Sequence, residues 1–183
     1  MNRFFIFTFL FYLPFSNIQA NEFTVDSPNI KFDGKILNQQ VFDGFGCNGD
    51  NISPELNWKG IPKGTKSLAV TVYDPDAPTG SGWWHWVVFN ISPQVTSLKQ
   101  GAGQPGNGLI PKNAVQSLTD FGKPGYGGPC PPVGDKPHRY EFTVHALKVE
   151  QLPLNEKSMP AMVGYYLNQN LIEKTVLRAE YGR

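Results

Sequence analysis

The sequence predicts a mainly β fold with a C-terminal helix and long Gly/Pro loops. Three observations carry this. Alternating runs rich in β-branched and aromatic residues recur along the chain. Gly (19) and Pro (16) are abundant but follow no period, as in a turn-rich β protein and unlike collagen's strict three-residue repeat. One late segment switches to helical spacing. At 183 residues, 40% hydrophobic and 17% charged, the chain suffices for one domain with a sizeable core.

Residues 1–20 stand apart. Arg3 gives a short positive start, Phe4 to Phe15 is almost wholly apolar, and Ser16 to Ala20 is more polar, the layout of a secretory signal peptide. A membrane anchor or a buried helix is the competing reading. The apolar run falls short of the roughly twenty residues a bilayer needs, and Pro14 closes it. Ile18 is bulkier than a cleavage site usually has. Loss of Arg3 takes 16 basic residues to 15, against 15 acids, so the mature chain 21–183 is formally neutral. Export places it in a periplasm or outside the cell.

Along the mature chain, short strands are expected near Phe23 to Val25 and Gln40 to Phe42. Leu68 to Tyr73 and Trp84 to Ile91 are the strongest strands. In Arg139 to Leu147, Tyr140, Phe142, Val144 and Ala146 share one face, while Glu141, Thr143 and His145 share the other. Met159, Met162, Val163, Tyr166, Leu167 and Asn170 then repeat at helical spacing. They define an amphipathic helix over Pro160 to Asn170, with Pro160 in its first turn. A last strand from about Thr175 to Tyr181 follows, with helix continuation to Arg178 as the alternative. Gln100 to Pro111 and Phe121 to Pro137 are long loops, of the kind that carry function.

The net charge is +1 with no Lys/Arg run, so the footprint of a nucleic-acid binder is missing. No segment after the leader is long and apolar enough to span a membrane. Cys47 and Cys130 form a candidate disulfide if the chain is exported, and two buried free thiols otherwise. A bridge would close a loop of about eighty residues, which the chain-entropy model puts at about 4–5 kcal/mol.

Three stretches can carry chemistry. Asp74-Pro-Asp76-Ala-Pro78 follows directly on a strand, and its prolines stiffen the turn that holds both carboxylates. Taken alone, such aspartates more often cap turn amides. His85 begins the most apolar strand; by period two it shares an inward face with Val87, Phe89 and Ile91. Trp83, Trp84 and Trp86 surround it as potential cavity walls. Gly127-Gly128-Pro129-Cys130-Pro131-Pro132 leads to His138, whose parity matches Tyr140 and Phe142. Its glycines offer backbone amides that could cradle an anion. Singly, each histidine reads as structural. Together they place a carboxylate at a strand end and two histidines at strand starts, which antiparallel neighbours bring to one rim.

These motifs resemble the phosphatidylethanolamine-binding proteins, in particular the bacterial branch often called Raf kinase inhibitor-like proteins. The resemblance rests on DPDAP with WWHWVVFNI, on GYGGPCPP with HRYEFTVHAL, on Phe45 to Trp58 (FGCNGDNISPELNW), and on Tyr181-Gly182-Arg183. It implies two packed antiparallel-rich sheets, β-sandwich-like, with a C-terminal helix. It also implies a pocket for phosphate, acetate or a phosphoethanolamine headgroup. By motif position, Asp74, His85 and His138 would line it, Trp83 and Tyr140 would support it, and Pro131 and Pro132 would form one wall. Asp76 would be structural. Cys130 stands where eukaryotic members often carry glycine, and their gating C-terminal helix has no counterpart here. Raf kinase inhibition is not carried over to an exported protein.

The expected function is binding of a small anionic, phosphate-bearing ligand, without a cofactor or metal. The alternatives are an interaction protein that inhibits a kinase or protease, and, less favoured, a hydrolase or phosphoryl-transfer enzyme. There is no G-x-S-x-G or H-E-x-x-H, and a disulfide would remove Cys130 as a nucleophile. An unidentified protein partner and a homodimer are both compatible with this reading; stable membrane insertion is not expected.

Overall fold

A computed structural model of the chain describes residues 22–30 and 34–183. The predicted leader lies outside them. In chain order the elements are β1 (Thr24–Asp26), β2 (Gly34–Lys35), a 3₁₀ turn (Asn38–Gln40), β3 (Asp43–Gly44), β4 (Cys47–Asn48), β5 (Leu56–Lys59), β6 (Ser67–Asp74), β7 (Trp83–Ile91), β8 (Ser97–Leu98), β9 (Val115–Gln116), β10 (His138–Leu147), α1 (Pro160–Asn170) and β11 (Leu171–Tyr181).

Six strands form the main sheet in the order β2-β11-β10-β6-β7-β9. All its pairings are antiparallel except β11 with β2. A small sheet, β1-β5-β8, lies over one face, and β3 and β4 make a separate hairpin. Phe23, Val25, Leu56, Trp58 and Leu98 from the small sheet's side meet Val70, Val72, Trp86, Val88, Phe142, Val144 and Leu177 of the main sheet in one core. The opposite face is covered as well. There Ala69, Val87 and Phe89 pack against Leu152 and against Val163 and Leu167 of α1. This second layer explains why Thr143 and His145 are buried although they alternate away from the first core.

Several expectations needed correction. Gln40 to Phe42 is not a strand: Gln40 ends the 3₁₀ turn and pairing begins at Asp43. The last strand starts at Leu171, directly at the end of α1, and runs the length of β10 to Tyr181. Its first residues, Leu171 to Lys174, are mostly exposed and run as two apolar then two charged residues, so no alternation announces them. The helix spans Pro160–Asn170 as expected, but its buried stripe is Pro160, Val163 and Leu167. Met159 and Met162 point outward.

Cys47 and Cys130 are bonded, with Cα atoms 6.0 Å apart. The bridge ties the β3–β4 hairpin to the Pro-rich loop that precedes β10. Among the described residues no helix is long and apolar enough to cross a membrane.

Candidate functional site

The order β10-β6-β7 brings the end of β6 beside the starts of β7 and β10. Asp74 closes β6, Trp83 opens β7 opposite it, and His138 opens β10. Asp74, His85 and His138 are all nearly sealed from solvent, at 3–4% exposure. They line a cavity of about 200 Å³ together with Trp83, Tyr140, Pro131 and Pro132. All seven residues named from the sequence therefore meet in one place.

His138 follows the parity expected of it. Its Nδ1 donates to Asp74 Oδ2 at 2.8 Å, and its Nε2 lies 3.5 Å from Asp135, a looser contact than a hydrogen bond. Asp74 is itself fixed, because its Oδ1 accepts the Asp76 amide at 2.8 Å. Asp76 faces away from the cavity. It accepts from the Arg139 amide, Nε and Nη2 at 2.9, 2.8 and 2.7 Å, a bidentate clamp that locks the turn to the start of β10. The Arg139 guanidinium holds the Asp76 carboxyl well below the usual carboxylate range.

His85 reaches the cavity by a different route from the one its spacing suggested. β7 holds an extra residue between the pairs Val72–Trp86 and Tyr73–Trp84, and that residue is His85. The bulge turns His85 to the small-sheet side, whereas Val87 and Phe89 pack under α1. A second irregularity, at Asn90 with φ 60°, returns Ile91 to the first core. Simple alternation thus placed His85 inward by an incorrect register, and bulges of this kind re-aim side chains next to sites.

The His85 Nδ1 donates to the Gly127 carbonyl at 2.6 Å. A carbonyl only accepts, so Nδ1 carries the proton and Nε2 is bare in the neutral ring. Burial pushes the His85 pKa down to about 4, against the smaller opposing effect of the Gly127 carbonyl. The Tyr140 ring stands edge-on to His85 at 5.2 Å, and burial beside Asp74 raises its hydroxyl pKa.

The glycine amides do not form an anion cradle. Gly127 N donates to the His85 carbonyl and Gly128 N to Asn51 Oδ1, so both are committed. Of the three tryptophans around His85, only Trp83 lines the cavity. Trp84 packs on Tyr73 with the rings tilted at 45° and 4.7 Å apart, and Trp86 is buried with its Nε1 on Gln116.

Cys130 completes the lining with Phe45, Ala77, Pro78, Thr79 and Phe121, and these last five were not foreseen. Ala77 and Pro78 belong to the DPDAP turn already singled out. Phe45 and Phe121 come from loops, with no periodic signal to reveal them. Phe121 sits edge-on to Trp83 and His85, both at 5.4 Å, and stacks on Phe45 at 6.0 Å. The result is a largely apolar chamber with a buried carboxylate and two imidazoles. Among the described residues no Lys or Arg lines it.

Residues 29–182 match the model of the family described as phosphatidylethanolamine-binding protein. Escherichia coli YbcL is 52% identical over 174 residues, which covers 95% of this chain and 94% of YbcL. Its crystal structure superposes with a TM-score of 0.87 at 53% identity, covering 89% of this chain and 99% of that one. Escherichia coli YbhB is 46% identical over 157 residues, 85% of this chain and 97% of its own. The Chlamydia trachomatis homolog CT736 has a TM-score of 0.73 at 31% identity, covering 90% of this chain and 99% of its own. By fold, motifs and relatives alike, the chain belongs to the phosphatidylethanolamine-binding protein family.

Proposed function

We propose that the chain binds a small phosphate-bearing ligand, such as phosphate or phosphoethanolamine, by its phosphoryl group in the cavity at Asp74, His85 and His138. The observation that carries this is the pairing of two buried imidazoles in a chamber of about 200 Å³, with one of them held by a carboxylate. That volume suits a headgroup and not the acyl chains of a whole lipid. A phosphoryl oxygen at His138 Nε2 would replace the looser Asp135 contact. A second oxygen would meet His85 Nε2.

Since no Lys or Arg among the described residues lines the cavity, a proton balances the ligand's charge in this reading. His85 is neutral near pH 7 when the site is empty, because burial lowers its pKa to about 4. A phosphate dianion therefore binds with uptake of a proton onto an imidazole. A monoanion brings its own P–OH, which donates to the bare Nε2. Both routes have the same sign: affinity rises as pH falls. NMR titration of phosphoethanolamine at pH 5.5 and pH 8 tests this. Tighter binding at pH 5.5 is expected, and equal affinity at both would rule the mechanism out.

Binding rather than turnover is supported by the nucleophiles near the cavity. The Cys130 sulfur is held in the disulfide, and the Thr79 hydroxyl donates to the Gly82 carbonyl. A second reading, modulation of a partner protein such as a kinase or protease, draws on Phe45 and Val133. These are 68% and 76% exposed, and they belong to the hairpin and the loop that the disulfide joins. Replacing Val133, which lies outside the cavity lining, by Ser would abolish partner capture but spare phosphoethanolamine binding if that reading holds. The disulfide fits the proposed periplasmic or secreted location.

A further inference from the structure

Two chain segments distant in sequence both contribute to the cavity lining: the Phe45 turn, between β3 and β4, and the Pro131–Pro132 loop. Arg183 spans them. Its Nε donates to the Pro131 carbonyl at 2.7 Å, its Nη1 to the Gly46 carbonyl at 2.9 Å, and its Nη2 to the Phe45 carbonyl at 3.1 Å. Its own carbonyl accepts the Gly134 amide at 3.2 Å, further along the same loop. One guanidinium thus satisfies three carbonyls from both walls. Arg183 does not itself line the cavity, so it is not a ligand contact.

The Phe45 turn requires such a clamp. Phe45 sits at φ 53°, in the left-handed region that a bulky side chain occupies only at a cost of about 1–3 kcal/mol. Its side chain is 68% exposed, with ring contacts to Phe42 and Phe121. The disulfide anchors Cys47 and the Gly44–Cys47 pairing closes the turn, while the Phe45 and Gly46 carbonyls between them are bonded by Arg183. The Phe45 ring in turn stacks on Phe121, whose edges meet Trp83 and His85. Movement of the turn would therefore pass directly to the cavity walls.

We propose that Arg183 is a positioning residue for the phosphoryl pocket: its fork locks the Phe45–Gly46 carbonyls against Pro131 and so fixes the mouth. This rests on the reading given under Proposed function. A lysine preserves the charge but offers a single ammonium, which cannot bridge three carbonyls of two segments in this geometry.

The test uses the oxidised protein as wild type, Arg183→Lys and Arg183→Gln. Phosphoethanolamine affinity is measured by calorimetry at pH 5.5, alongside amide hydrogen exchange. For both variants we expect affinity to fall about tenfold, the loss of one charge-assisted hydrogen bond's worth of fixation. Exchange should quicken in residues 43–48 and 129–134 and stay unchanged in β6 and β10. Wild-type affinity and protection in both variants would overturn the proposal while leaving the ligand reading intact. Full rescue by Lys would overturn it too, because the effect would then be one of charge. Loss of protection in β6 and β10 would reassign Arg183 to general stability. If the wild-type protein itself binds no phosphoethanolamine, the pocket reading fails and this inference fails with it.

Discussion

At the scale of single residues, the buried His138–Asp74 bond is the pivot of the site. Removing His138 leaves the buried Asp74 Oδ2 without its partner. His138→Ala should therefore cost about 1–3 kcal/mol of stability, the usual penalty for a buried polar group left unsatisfied. It should also abolish phosphoethanolamine binding. Urea unfolding and calorimetry on the same preparation would separate the two effects. Asp74 and His138 were legible in the sequence because strand ends and parity place them. His85 was legible only in outcome: its inward position depends on a bulge that alternation cannot reveal. Phe45 and Phe121 were not legible, since what brings them to the cavity is long-range loop closure.

At the scale of elements, the Asp76–Arg139 clamp joins the β6–β7 turn to the start of β10. Arg139 lowers the Asp76 pKa, so this stabilisation is present above the unfolded carboxyl value and is lost as pH falls through the folded one. Asp76→Asn should destabilise the protein near pH 7, modestly because Arg139 is exposed. The gap from wild type should narrow below about pH 4. Denaturant midpoints at pH 7 and pH 3 would show it. The long strands β6, β7 and β10 could be read from alternation, and α1 from Pro160 and its spacing. The two-residue strands and the onset of β11 could not. Their residues are held by pairing partners rather than by any pattern of their own.

At the scale of the whole molecule, two buried histidines set the response to acid. Burial lowers His85 to about 4 and His145 to about 3, the latter with Lys174 adding repulsion. Unfolding frees both to take protons below their ordinary value of about 6.5. Their contribution is thus full above that value and falls as pH drops from about 6.5 to about 4 for His85 and about 3 for His145, by up to about 1.4 kcal/mol per pH unit for each ring. Replacing His145 by Gln, which retains a partner for Thr71, should remove about half of this slope. The disulfide acts at the same scale. Reducing it should lower stability by about 2–4 kcal/mol in urea unfolding, and should loosen the Phe45 side of the cavity. The overall plan of two sheets and a helix was legible because it follows from strand periods and family motifs. The burial of the main sheet on both faces was not, because Thr143 and His145 read as a polar outer face.

The central claim is that a phosphoryl group enters the chamber at Asp74, His85 and His138. The most direct measurement is a crystal structure soaked with phosphoethanolamine at mildly acid pH. The account predicts phosphoryl density within hydrogen-bond reach of the Nε2 atoms of His85 and His138, with the disulfide and the Arg183 clamp closed over it. An empty chamber at saturating ligand, or ligand bound elsewhere on the surface, would contradict it.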